Sequence, residues 1–199
     1  METIDSILRY WFGDSPGDAD VIREMSPLWW KKNPGVDTDI RQRFSATLAA
    51  ESEDKLESWS TNPRGQLARI ILCDQFPRNM FRGKPESFQY DARARHLART
   101  ALDQGMDRRL RPVERVFVYL PFEHSENGRD QETSVRLFTT LLDEAAPALN
   151  QPFRNFLDFA TRHKEIIDRF GRFPHRNALL GRASTPEELE FLKGPGSSF

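Results

Sequence analysis

Cysteine is nearly absent. Cys73 stands alone, so no internal disulfide can form and packing must hold the fold. It follows Ile70-Ile71-Leu72, an apolar run in which a buried, inert thiol is the expected state, and a reducing cytoplasm suits such a chain. No stretch approaches the roughly 20 apolar residues of a membrane helix. The opening "METIDSILRYWFG" has an acid where a signal peptide would carry its basic region. A cytoplasmic protein with no membrane partner is expected. Glycine-rich phosphate loops are missing: neither GxGxxG nor GxxxxGKS/T occurs, and Gly83-Lys84 runs into Pro85. The absence of GxSxG, HExxH and CxxC leaves serine-hydrolase and common zinc chemistry without a motif. Charge of one sign is lacking too. With 29 Lys+Arg against 30 Asp+Glu, a formal net charge of -1 argues against nucleic acid as a partner.

Aromatic residues are plentiful: 15 Phe and four Trp in 199 residues supply one bulky core. Alternating strand-like runs are absent, whereas helix starts and stops recur from end to end, so the chain reads as all-α. Helices are expected from about Thr3 to Phe12, closed by Gly13, and from Asp20 to Trp30. A long one capped by Asp37 should end near Trp59, with Ile40, Phe44 and Leu48 on one stripe. Asn62 and Pro63 open a helix through Leu67, Ile70 and Ile71. The next runs from Pro85 to Gln104, with Phe88, Ala92 and Leu97 apolar and Gly105 as its stop. Pro112 starts a short helix that Pro121 ends. Asp130 to Asp143 and Phe153 to Phe170 follow, the second closed by Gly171, and Thr185 with Glu188 forms a capping box for the last. These make a single helical domain over 1–199, of seven to eight helices, with 193–199 as a frayed tail.

Lysine is scarce: of the 29 basic residues only Lys31, Lys32, Lys55, Lys84, Lys164 and Lys193 are lysine. The arginines cluster. "RFGRFPHRNALLGR" at 169–182 holds four arginines and a histidine without an acid, and "DQFPRNMFRG" at 74–83 echoes its Phe-Pro, Arg-Asn and following Arg and Gly. In each, the residue before proline should be extended and the proline should start a new turn, placing Arg78, His175 and Arg176 in first turns. A helix start carries partial positive charge and free N–H groups, which disfavour arginine unless an anion is there. That anion is either a bound phosphate or carboxylate, or the protein's own Asp74, Asp91, Glu123, Glu126 or Asp168. Arg172 also has a simpler role, complementing the helix C-terminus before Gly171.

"YLPFEHSEN" at 119–127 places Glu123, His124 and Glu126 in a polar turn, where a neighbouring carboxylate would fix the tautomer of His124 and raise its basicity. Ser125 or Glu126 is equally suited to cap the next helix. No ligand spacing supports a metal on His124, His163 or His175, and no cofactor can be assigned. His163 shares a helical face with Phe159, Ile166 and Phe170, the setting of a core histidine; His96 reads as surface.

"LCDQFPRNMFRG", "YLPFEHSE" with "QETSVRLF", and "RFGRFPHRNALLGRASTPEE" resemble, in that order, the bacterial domain-of-unknown-function family 924, and "ILRYWFG" with "WW" extends the likeness over nearly the whole chain. The resemblance implies a compact helical domain similar to tetratricopeptide-type folds, with helices in antiparallel pairs, and no settled activity. Three functional readings stay open. In the first, Arg78, Asn79, Arg82, Glu123, Glu126, His163, Arg169, Arg172, Arg176, Asn177 and Arg182 surround a small phosphate- or carboxylate-bearing ligand, with His124 or His175 as general acid or base. In the second, the same arginines bind an acidic peptide. In the third, they form an internal ion-pair network.

Overall fold

The structure, a computed structural model, describes residues 1–197 and contains no strand among them. Ten α-helical segments account for the described chain. They are α1 (Ile4–Phe12), α2 (Asp18–Trp30), α3 (Pro34–Ser52), α4 (Pro63–Asp74), α5 (Phe76–Met80), α6 (Asp91–Asp103), α7 (Pro112–Glu123), α8 (Gly128–Asp143), α9 (Asn150–Phe170) and α10 (Pro186–Phe191). Eight are nine residues or longer, which is the all-α architecture read from the sequence.

Local chemistry sets the ends. The Thr3 hydroxyl accepts from Ser6 N–H, and the Ser6 hydroxyl accepts in return from Thr3 N–H. Asn62 caps α4, and Thr185 with Glu188 caps α10. Gly171 closes α9 at φ 68°, a left-handed conformation that glycine adopts without cost.

Several boundaries differ from the sequence reading. Asn33, not Asp37, caps α3, because Asn33-Pro34 supplies cap and first residue together; Asp37 instead faces Arg82. α3 stops at Ser52, and Glu57–Thr61 is a separate 3-10 turn. The expected helix from Pro85 breaks after a 3-10 turn at Pro85–Phe88, and α6 begins at Asp91. That shifts its phase: Ala94 and Ala98 face the core, Ala92 is exposed and Phe88 is half-buried. Phe76, expected to be extended before Pro77, lies in α5, which continues from α4 through Gln75 in a helical conformation. Pro121 does not end α7. The helix passes it, giving up only the N–H a proline lacks, and closes three residues later on His124 N–H to Leu120 O.

The core is built on α4 and α7, both buried on almost every side. Trp11, Phe12, Phe44, Phe76 and Phe117 fill it with edge-on and tilted rings. α6 packs on α4 and α7, α8 packs on α7, and the long α9 returns along α8. Ile166, Ile167 and Phe173 form a smaller cluster with Phe170 and Phe191, where α9, the following turn and α10 meet. Residues 193–197 turn back on α10: Gly194 N–H donates to Phe191 O, and the Ser197 hydroxyl donates to Leu192 O. The last two residues of the expected tail lie outside the described residues. Among the described residues no helix is long and apolar enough to cross a membrane. Cys73 is fully buried, and desolvation pushes its thiol up.

Candidate functional site

The two Phe-Pro-Arg-Asn turns, nearly a hundred residues apart in sequence, meet at one carboxylate. Arg78, on α5, donates to Asp91 Oδ1 at 2.9 Å, and Arg176, in the 3-10 turn Pro174–Arg176, reaches Asp91 Oδ2 at 3.5 Å. Both guanidiniums lie over the Phe88 ring, Arg176 at 4.7 Å and Arg78 at 5.9 Å, and Arg176 also lies over the Phe173 ring at 4.5 Å. The break before α6 makes this possible, since it puts Phe88 and Asp91 side by side at a helix start. Held against both rings, Arg176 is buried, and its Nη1 also donates to His124 O at 3.0 Å. Burial, with Arg78 next to it, brings Arg176 down to about 10, so it stays charged at neutral pH.

His124 is the C-cap of α7, and its ring is fixed from behind. Nδ1 is 2.8 Å from Asp74 Oδ1, at the end of α4. The carboxylate that orients it is therefore Asp74, at the start of the DQFPRNMFRG stretch, and not the neighbouring Glu123. Asp74 is fully buried. Burial alone would raise it, but His124 and Arg78, with the Gln75 amide donating at 2.6 Å, hold it at about 2. An ionised carboxylate at Nδ1 keeps the ring proton there and leaves the lone pair on Nε2. Burial and Arg78 lower His124 against the opposing pull of Asp74, so the neutral ring prevails at neutral pH. The side chain is 15% exposed, and no hydrogen bond from a described residue reaches Nε2.

The ring lines a cleft of about 300 Å³ between the start of α6, the α7–α8 turn and the Pro174–Arg176 turn. Asp91, Arg95, Glu126, Arg176 and Leu180 share the lining. Its acids are occupied: Asp91 by the two arginines, and Glu126 by Arg182 at 2.6 and 2.9 Å together with Phe173 N–H at 2.8 Å. Arg95 differs. Its nearest carboxylate oxygen, Asp130 Oδ2, is 3.7 Å away and already accepts from the Ser125 hydroxyl, while Oδ1 accepts from Arg99. Arg95 makes no hydrogen bond to a described residue; its ion pair with Asp130 at 3.7 Å leaves it the most loosely held cation lining the cleft.

Behind His124, Glu123 and His163 form a second buried pair. His163 Nδ1 lies 2.9 Å from Phe159 O and 3.2 Å from Glu123 Oε1, and its ring is 6.3 Å from that of His124. Burial, reinforced by the Asp74 charge, pushes Glu123 up to about 8; burial with His124 nearby brings His163 down to about 3. Both are uncharged at neutral pH. Phe159, expected on the buried face with His163, is instead exposed beneath Arg162. It lies one helical turn back, at the edge of the stripe. His175 stacks near Phe173 and is brought down to about 4 by burial and Arg176.

The remaining candidates lie elsewhere. Asn79 and Arg82 donate to Asp37 and tie α5 to α3. Arg169 meets Glu187 at the surface. Arg172 and Asn177 both donate to Glu188, so Arg172 anchors α10 and does not simply complement the end of α9. Asn127, not Ser125 or Glu126, caps α8, accepting from Arg129 and Asp130 N–H. Among the described residues no three His, Cys, Asp or Glu side chains are grouped to hold a metal ion.

The family model for bacterial proteins of unknown function, DUF924, matches residues 7–196. The chain belongs to this family. A solved structure of a protein of unknown function from Agrobacterium tumefaciens is similar at 32% identity, with a TM-score of 0.82, covering 96% of this chain and 97% of that one. No curated protein matches significantly. Family membership thus carries the helical fold and no activity. Within this DUF924 chain, sequence reasoning missed Arg95 and Phe88. Arg95 sits among other arginines on α6, and only its geometry separates it from Arg93 and Arg99, which are hydrogen-bonded to carboxylates.

Proposed function

We propose that the cleft at His124 binds a small phosphate- or carboxylate-bearing molecule. Arg95 and Arg176 hold its anionic group, and the His124 Nε2 lone pair, oriented by Asp74, faces it. The observation that carries the reading is Arg95: a guanidinium lining a cleft without a hydrogen-bonded carboxylate, beside acids that are already paired. A planar, bidentate donor suits either anion. His124 is the group positioned to act chemically. His175 is the weaker candidate, because burial and Arg176 bring it down to about 4 and it is not among the side chains that line the cleft.

The ion-pair reading holds for part of the set. Arg82, Arg169, Arg172 and Arg182 serve the protein's own carboxylates, and for these we infer a structural role. A tetratricopeptide-like module binding an acidic peptide is less well supported, since those same pairings remove most of the arginines it would use. We place the protein in the cytoplasm, where a lone reduced cysteine is ordinary.

The test is thermal denaturation with inorganic phosphate, citrate and phosphorylated metabolites, on the native chain and on Arg95→Met. Binding at about 100 times Kd should stabilise the native chain by about 2.7 kcal/mol. Arg95→Met, a substitution at a half-exposed side chain, should keep its basal stability and lose the ligand's effect. An equal shift in both proteins places the anion elsewhere. No shift with any anion leaves the cluster as an ion-pair network.

A further inference from the structure

The cleft has one nucleophile. Cys73 is fully buried in the core, and Ser125 is 2% exposed, its hydroxyl donating to Asp130 and accepting from Asn127 N–H. Asp91 and Glu126 are tied to arginines. That leaves His124 Nε2. The cleft also lacks a free acid: every carboxyl that lines it is salt-bridged, so nothing there stands ready to protonate a departing alkoxide. The two arginines and the backed imidazole together describe a receptor for a phosphoryl group whose leaving group needs no proton.

We propose that His124 is a phosphoryl-acceptor residue, transiently phosphorylated on Nε2 by an acyl phosphate. The inference rests on the anion-binding reading above and extends it from binding to group transfer. The Nε2 lone pair attacks phosphorus and forms the N–P bond. The P–O bond to the acyl oxygen breaks, and its electron pair leaves with a carboxylate, which needs no proton. The ring keeps its Nδ1 proton, so the product is a phospho-imidazolium, and its positive charge develops 2.8 Å from the ionised Asp74. Arg95 and Arg176 take the phosphoryl oxygens. Asp74 touches no substrate atom and is a positioning residue, since it fixes the tautomer and the ring plane.

The experiment incubates the full chain with acetyl phosphate and follows intact mass, with the site mapped at neutral or alkaline pH because N–P bonds are acid-labile. The expected result is a single addition of about 80 Da, one phosphoryl group, located on His124 and absent from His124→Gln. Asp74→Asn should form the adduct at least about tenfold more slowly, the range for loss of an orienting carboxylate. Inorganic phosphate should still stabilise it, a split that simple unfolding would not give. Circular dichroism of each variant checks that it is folded. Phosphate binding through Arg95 without an adduct overturns phosphorylation and leaves the binding reading intact. Neither binding nor adduct overturns both. An adduct that persists in His124→Gln, for example on the exposed His96, also overturns the proposal.

Discussion

Replacing Glu123 by Gln should make the protein more stable, and increasingly so as pH rises. Glu123 is a fully buried carboxyl whose nearby titratable groups are His163, His124 and Asp74, and among the described residues no arginine or lysine pairs with it. Its folded-state value of about 8 lies above the unfolded value of about 4.3. The folded state therefore binds the extra proton between these limits, and stability falls as pH rises through that window. Integrated to pH 7, the difference is about 3 to 4 kcal/mol against strongly acidic solution. His163 and His175 act in the opposite sense, since their folded values of about 3 and 4 are lowered and they cost stability as pH falls below about 6.5. Above pH 6.5 they are mostly neutral in both states, which isolates Glu123. Between pH 6.5 and 8 the native chain should lose about 1 to 2 kcal/mol relative to Glu123→Gln. Urea denaturation of both proteins at four pH values in that range measures it. Parallel curves, or a Gln variant destabilised throughout, would show Glu123 ionised and paired with a protonated His163. Truncating such a buried ion pair costs about 3 to 5 kcal/mol, and the reasoning on charge in this cluster would fail.

Two further substitutions test the frame around the site. At Gly65, in the first turn of α4, an added Cβ would meet Trp59 O at 2.0 Å. Alanine normally gains about 1 kcal/mol over glycine in a helix, but a clash with backbone at that distance cannot be relieved by turning a side chain. Gly65→Ala should lower the melting temperature, and a raised one would show that the Glu57–Thr61 turn yields easily. Asn127→Ala removes the cap of α8, at a cost of about 1 kcal/mol. Because the cap lies in the turn that carries His124, chemical-shift changes should concentrate at residues 124–130.

How much the sequence reveals depends on whether the deciding interaction is local. Caps and stops such as Gly13, Asn62, Gly171 and Thr185 act within four residues, so they are legible. Pro121 misleads because its effect depends on tertiary burial: a helix packed on all sides tolerates the loss of one N–H, and this carries α7 on to Glu123 and His124. The break at Gln89-Tyr90 has no strong local signal, yet it sets the phase of α6 and so decides that Ala94 faces inward and Ala92 outward. The His124 orienter is illegible for the same reason. Glu123 and Glu126 are its neighbours in sequence, but Asp74 is its partner at a separation of 50 residues.

The sign of the charge at the two Phe-Pro turns pointed to nearby anions without saying whose they were, and at Arg78 its helix-start premise fails, because α5 runs on from α4 through Gln75. Partner by partner, the protein supplies most of them: Asp37 for Arg82, Asp91 for Arg78 and Arg176, Glu126 for Arg182 and Glu188 for Arg172. An arginine-rich motif is thus weak evidence for a ligand while carboxylates of the same chain are within reach. The informative cation is the one left over. Arg95 has no Phe-Pro motif around it and no acid within hydrogen-bonding distance among the described residues, and it lines the same cleft as His124, whose Nε2 accepts no hydrogen bond from a described residue. If a ligand's negative charge belongs anywhere on this surface, the balance of charges puts it between Arg95 and His124.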